Sequence, residues 1–179
     1  MILQRTAAHS LSGLGALALI AGAVAGCAPT PAPTPTPTAA FASEEEAFAK
    51  AEEVYRAYID ALNAFRAGEE GPSPDKFLTG ELLDSEIAAS EEMEKSGTRI
   101  VGETRITKFN GTTSDIHSSV GSIEATACLD VTSARAIDDA GADVTTPGRS
   151  DLYAIQVTFV GSRSSLLVSE YEVTPGTPC

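Results

Sequence analysis

The sequence is poor in the residue types that most often carry chemistry. It has no tryptophan, two histidines and three cysteines among 179 residues. Because His9 lies in an apolar N-terminal segment, His117 is left as the candidate for acid–base chemistry near neutral pH. His117 stands among serines and threonines, and the sequence has no G-x-S-x-G motif, so we expect a surface histidine rather than a catalytic base.

Positive charge is also scarce. Twelve lysines and arginines stand against 25 aspartates and glutamates, for a net charge of −13. Such a surface repels phosphates, which argues against a nucleic-acid partner. There is no Walker A or G-x-G-x-x-G motif, so no nucleotide cofactor is predicted.

With one usable histidine and no ligand spacing, the sequence predicts neither a zinc site nor another cofactor. Asp138, Asp139 and Asp143 are expected to form a solvated acidic loop. Weak calcium binding by these three residues is the alternative, but the EF-hand spacing is absent. We therefore expect no metal.

Residues 1–26 have the features of a secretory signal: one charge at Arg5, a short apolar run from Leu11 to Ala25, and small residues at the end. The stretch Val24-Ala25-Gly26-Cys27 resembles the bacterial lipobox. The resemblance implies lipidation of the Cys27 thiol and cleavage before it, hence an exported protein anchored in the outer face of the cell membrane. An ordinary secretory signal with a chance cysteine is the alternative.

Residues 27–42 follow as a tether in which prolines alternate with threonine and alanine from Pro29 to Pro37. Each proline fixes φ and removes a donor, which favours an extended polyproline II spacer. We expect the folded domain to occupy residues 43–179.

The two remaining cysteines, Cys128 and Cys179, predict a disulfide in an exported chain. A thiol redox pair is the alternative, but it requires close C-x-x-C spacing, which is absent.

Two helices are predicted at the start of the domain. Ser43 and Glu46 form a capping box, and apolar residues then recur at three- and four-residue steps until Gly68. The stripe consists of Phe48, Ala51, Tyr55, Tyr58, Leu62 and Phe65. A second helix is predicted over Gly80–Lys95, with Gly97 as its stop and with four residues directed inward, Leu82, Leu83, Ile87 and Met93.

The rest of the chain is predicted to form antiparallel strands. Arg99–Phe109 is followed by Asn110-Gly111, a hairpin turn signal. Residues 122–132 alternate, with Ile123, Ala125, Ala127, Leu129 and Val131 on the inner face. Cys128 then falls on the outer face, so the C-terminal tail is expected to cross the outside of the sheet. Leu152–Val160 and Ser165–Val173 complete an α+β domain with the long helix laid on one sheet face.

This order of elements resembles the NTF2-like cone fold of the ketosteroid isomerase and SnoaL type, as found in secreted lipoproteins of actinobacteria. The resemblance is carried by the lipobox, the strand Ala127-Cys128-Leu129-Asp130-Val131, the acidic loop with Asp143-Val144-Thr145, Leu166-Leu167-Val168-Ser169, and Cys179. It implies a curved antiparallel sheet and an apolar pocket between helix and sheet. The lining expected for this pocket is Tyr55, Tyr58, Leu62, Ala125, Ala127 and Leu129.

In the enzymes of this family a carboxylate and a tyrosine transfer protons in that pocket. Asp60 with Tyr55 or Tyr58 is the nearest counterpart, but no motif matches, so no catalytic residue is assigned. The leading hypothesis is a non-catalytic binding or scaffolding domain for an envelope protein or a small apolar ligand. An isomerase- or dehydratase-type enzyme is the second hypothesis, and a spacer or assembly piece of the envelope is the third.

Overall fold

The computed structural model describes residues 38–179, so the signal segment and Cys27 lie outside the described residues. The elements are α1 (Glu44–Ala67), a 3₁₀ turn (Pro74–Phe77), α2 (Gly80–Lys95), β1 (Arg99–Val101), β2 (Arg105–Asp115), β3 (Gly121–Asp130), β4 (Arg135–Ile137), β5 (Leu152–Ser162) and β6 (Ser165–Val173). Four strands form an open antiparallel sheet in the order β2-β3-β5-β6, and β1 pairs with β4 separately. The predicted α+β class is confirmed. Neither helix in residues 38–179 is long and apolar enough to cross a bilayer.

Helix α1 begins and ends where the sequence predicts. The Ser43 Oγ accepts a hydrogen bond from the Glu46 amide at 3.2 Å. The Glu46 carboxylate accepts from the Ala42 amide at 2.7 Å, one residue earlier than an ideal capping box requires. At the other end Gly68 adopts φ 70°, and its amide closes the last turn.

Small residues allow α1 to lie close to the sheet. Ala47 and Ala51 on the helix, and Ala125 and Ala127 on β3, are fully buried. The ring of Phe48 lies over Gly111 of β2, where a Cβ would overlap it. The core is therefore formed by the inner face of α1 and the inner face of the sheet, as the alternation of residues 122–132 predicts.

The domain starts earlier than the predicted boundary at residue 43. Ala40 and Phe41 are 7% and 2% exposed and belong to the core. The Ala40 amide donates to the carbonyl of Ser118 at 2.7 Å, and the Ala40 carbonyl accepts from the Arg163 amide at 3.3 Å. The predicted tether of 27–42 is therefore too long at its C-terminal end, because its last residues form a strap over one end of the core.

The predicted hairpin turn at Asn110-Gly111 is wrong. Strand β2 runs through both residues and pairs with β3 along its length, with a register shift between Gly111 and Thr113. Gly111 thus provides room for the helix rather than a turn. The predicted strand Arg99–Phe109 is instead divided at Gly102, which has φ 82°. The Asn63 side chain holds the break through both backbone groups of Thr104, at 2.8 and 2.9 Å.

The disulfide between Cys128 and Cys179 is confirmed, with a Cα–Cα distance of 5.6 Å. Because side chains alternate along β3, Cys128 lies on the face opposite Ala127 and Leu129. Just before the tail, the Thr174 amide donates to the Ala154 carbonyl at 2.9 Å, which extends the pairing of β5 with β6 by one residue. Cys128 and Ala154 are 4% and 5% exposed, although they lie on the outer face.

Candidate functional site

The six residues predicted to line one pocket are divided between two environments. Tyr55, Ala125, Ala127 and Leu129 are buried in the core. Only Tyr58 and Leu62 reach a groove. The reason is an aromatic cluster between helix and sheet, in which the Tyr55 ring lies 6.1 Å from Phe109 and 6.2 Å from Phe159, centroid to centroid. Beneath α1 the predicted pocket is thus occupied by side chains.

The groove opens instead between α1 and α2, and its volume is about 780 Å³. Both helices pack against β6 and the 3₁₀ turn, with little contact between them. Its apolar lining comes from α1, α2 and β1 and consists of Leu62, Phe65, Ile87, Met93 and Ile100. Apolar surface of this extent, concave and open, is typical of a binding site.

Two of these residues were predicted to be in the core. Phe65 ends the apolar stripe of α1 but is 63% exposed, and Ile87 of α2 is 41% exposed. Their helical spacing is correct, but α1 and α2 have little contact with each other, and the two side chains line the groove between them. Phe65 and Ile87 thus form part of an open apolar surface instead of the core.

The groove also contains a cluster of polar side chains, namely Tyr58, Arg66, Glu86 and Tyr171. The Tyr171 hydroxyl donates a hydrogen bond to the Glu86 carboxylate. Arg66 donates from Nη1 to the Thr104 hydroxyl at 2.9 Å and lies close to Tyr58 and Glu86. The groove therefore combines apolar walls with phenol, guanidinium and carboxylate groups.

The phenols of this group are hydrogen-bond donors. Burial raises the pKa of Tyr58 to about 12, and the neighbouring Glu86 carboxylate adds to the rise. Burial, followed by the hydrogen bond to Glu86, raises the pKa of Tyr171 well above its ordinary value. Both hydroxyls therefore stay protonated at physiological pH, so neither supplies a base. The arrangement fits the orientation of a bound molecule better than proton abstraction.

Sequence reasoning missed Glu86 and Tyr171. Glu86 lies one helical turn after the buried Leu82, so the inward face of α2 predicts its position. Tyr171 had no such signal. Strict alternation from the buried Val168 would place Glu170 on the inner face of β6. A register shift between Thr158 and Phe159 of the partner strand adds one residue to β6 at this point. Tyr171 is therefore the residue that faces inward. The α1–α2 groove thus holds a carboxylate and a phenol that were not among the predicted lining residues.

The other candidate residues have structural or solvent-exposed positions. His117 and Asp60 are exposed. The carboxylate of Asp138 accepts from the Ala142 amide, and that of Asp143 from the Thr145 amide, each at 2.8 Å. These two acids hold turns in their loop. Within residues 38–179 no cluster of three or more histidine, cysteine, aspartate or glutamate side chains is placed to bind a metal ion.

No protein-family model and no curated protein matches the chain. Among solved structures, it is similar to the crystal structure of the intermembrane space region of the chloroplast protein ARC6. The two share 17% sequence identity with a TM-score of 0.46, over 70% of this chain and 95% of that one. A likeness this distant carries no conclusion about what the chain does.

Proposed function

We propose that the protein is a lipoprotein, anchored through Cys27 to the outer face of the cell membrane, whose domain binds an apolar group between α1 and α2. The observation that carries the binding role is the groove itself, where Phe65 and Ile87 are 63% and 41% exposed. Exposed apolar side chains are tolerated singly, but several in one concave site indicate a ligand or partner.

The finer fold assignment is part of the same proposal. We propose an NTF2-like cone, because one long helix lies across the inner face of an antiparallel sheet, as in that family. The open sheet and the filled space around Tyr55 move the binding site from beneath α1 to the α1–α2 groove.

Ile87→Ser tests the groove. With the full mature chain, residues 27–179, carrying Cys27→Ser so that it bears no lipid, we expect Nile red to bind with fluorescence enhancement. Ile87→Ser should weaken that binding about tenfold, since about two buried methylene equivalents at roughly 0.8 kcal/mol each are lost. The matched control is Val144→Ser, which removes a 49% exposed apolar side chain outside the groove. Equal effects of the two substitutions would contradict a site in the groove.

Cys27→Ser in the intact precursor tests the anchor. We expect the unaltered chain to begin at Cys27, to carry acyl mass, and to sediment with membranes, because about 0.8 kcal/mol per buried methylene accumulates over the acyl chains. The substituted chain should lack the acyl mass and either leave the membrane fraction or retain its signal segment. Intact-mass measurement of each fraction distinguishes these forms. A mature soluble protein with an unmodified Cys27 would overturn the anchor while leaving the groove untouched.

An NTF2-like enzyme is the second candidate, and the contact of Glu86 with Tyr171 beside Tyr58 favours it. A carboxylate and a phenol in one groove are the groups that proton transfer at carbon requires. We rank it second because Glu86 is engaged with Tyr171 and both phenols stay protonated. Turnover of a carbonyl substrate that is abolished by Glu86→Gln, with binding retained, would reverse this order.

A further inference from the structure

The charge around the groove is unbalanced. Five carboxylates line it against two arginines, Arg66 and Arg99. Of these acids, Asp75, Glu86, Glu94 and Asp139 form no ion pair within residues 38–179, and Glu86 instead accepts from the Tyr171 hydroxyl. An occupant that carried negative charge would be repelled, whereas a positive one would be attracted.

Two of these acids, Glu94 and Asp139, lie near the end of α2. The helix finishes at Lys95, and Gly97 follows with φ 65°. The Asp139 carboxylate lies directly against Gly97, where a Cβ would overlap it. Helix C-termini carry partial negative charge from their free carbonyls, so a carboxylate in this place adds like charge. The Lys95 amine in the last turn pairs with Glu91 at 3.5 Å, on the preceding turn.

Apolar surface adjoins this negative end. Met93 precedes Glu94 on α2, and Ile87 lies between one and two turns further back. Across the gap, Leu62 and Phe65 belong to the last turns of α1. A complementary occupant therefore presents an apolar face to both helices and positive charge toward the end of α2.

The groove also lies far from the point where the chain enters the domain. Helix α1 has 24 residues. At about 1.5 Å per residue it is about 36 Å long. The Ala40–Phe41 strap directly precedes the first turn of α1, whereas the groove lies along the second half of the helix. The groove and the segment through which the chain enters the domain therefore lie toward opposite ends of α1.

We propose that the occupant is a basic amphipathic helix of a partner protein, laid between α1 and α2. This inference rests on the proposed binding role of the groove. A gap walled by two helices, with apolar side chains along both, suits a helix whose anchors recur at three- and four-residue steps. A second copy of this chain is disfavoured, because its net charge is −13.

Three synthetic peptides of about 15 residues, the shortest length at which isolated helices become appreciable, test this inference. They share one leucine stripe and differ in a polar face of lysine, glutamine or glutamate. With the mature chain carrying Cys27→Ser, the lysine peptide is expected to bind at least about tenfold more tightly than the glutamine peptide, and the glutamate peptide most weakly. Fluorescence anisotropy at low and moderate salt measures all three.

Matched variants separate the groove from the general negative charge. Glu94→Gln with Asp139→Asn should weaken the lysine peptide at least about fivefold and leave the glutamine peptide unchanged. Glu170→Gln with Glu172→Gln removes the same charge from exposed positions outside the groove and should have less than about a twofold effect. Ile87→Ser should weaken both peptides.

Each other result counts against the inference. If the two double variants lose the same affinity for the lysine peptide, the peptide binds to the negative surface in general and not to the groove. The three peptides could fail to bind, or bind with equal affinity, while Nile red binding is still weakened by Ile87→Ser. The groove would then bind a small apolar molecule, and only the inference of a basic helix would be wrong. If Nile red does not bind either, the proposed binding role of the groove is also wrong.

Discussion

Phe41→Ala is expected to lower the free energy of unfolding by about 3–5 kcal/mol, the usual range for truncating a fully buried phenylalanine. The Phe41 side chain is 2% exposed and closes one end of the core. The strap that carries it is bonded to the chain near Ser118 and at Arg163. Removal of the Phe41 ring leaves a cavity in the core, and the backbone bonds of Ala40 hold the strap in place beside it.

Urea unfolding of the mature chain measures this effect, with Phe65→Ala as the control. The two substitutions remove the same atoms, but Phe65 is 63% exposed and should cost less than about 1 kcal/mol. If both variants unfold at the same urea concentration as the unaltered chain, Phe41 belongs to the tether after all, and the domain boundary at residue 43 is correct.

Cys179→Ser is expected to destabilise the domain by up to about 4 kcal/mol, because the disulfide closes a loop with a sequence separation of 51 residues. Apart from the disulfide, the tail is bonded to the sheet at Thr174, so its last residues should detach from Cys128. For a domain of this size each 1 kcal/mol shifts the melting temperature by about 3–4 °C, which gives a fall of up to about 12–16 °C.

Differential scanning calorimetry with and without reductant supplies the control for the disulfide. Reductant should lower the melting temperature of the unaltered chain to that of Cys179→Ser and leave the variant unchanged. A variant that melts with the unaltered chain under oxidising conditions would show that the tail contributes no stability.

The helix bounds and the inner face of β3 could be predicted because local signals agree with the final packing. Ser43 and Gly68 cap α1, and the alternation from Ile123 to Leu129 is unbroken. The hairpin at Asn110-Gly111 could not be rejected from sequence, because the same glycine is needed where the Phe48 ring crosses β2. That requirement arises from a helix far away in the chain.

The site was only partly predictable for a related reason. The stripe that includes Tyr58 and Leu62 is correct, but whether its last residues are covered or line a groove depends on how closely α2 packs against α1. Phe65 and Ile87 have the same sequence pattern in either case. Tyr171 depends on a strand irregularity that alternation alone does not reveal. Which residues line the groove is therefore decided by tertiary packing. Glu86 is the exception, because its helical spacing from Leu82 indicates its position.

Site-specific photocrosslinking in living cells tests the central claim most directly. Ile87 is replaced by the photoreactive benzoylphenylalanine in the full-length, membrane-processed protein, and Val144, which is similarly exposed, is replaced in a parallel strain. If the α1–α2 groove is the binding site, irradiation should give a discrete adduct from position 87 and none from position 144. The adduct should disappear when Phe65→Ser is added on the opposite wall of the groove. No adduct from position 87, or the same adduct from both positions, would contradict the claim.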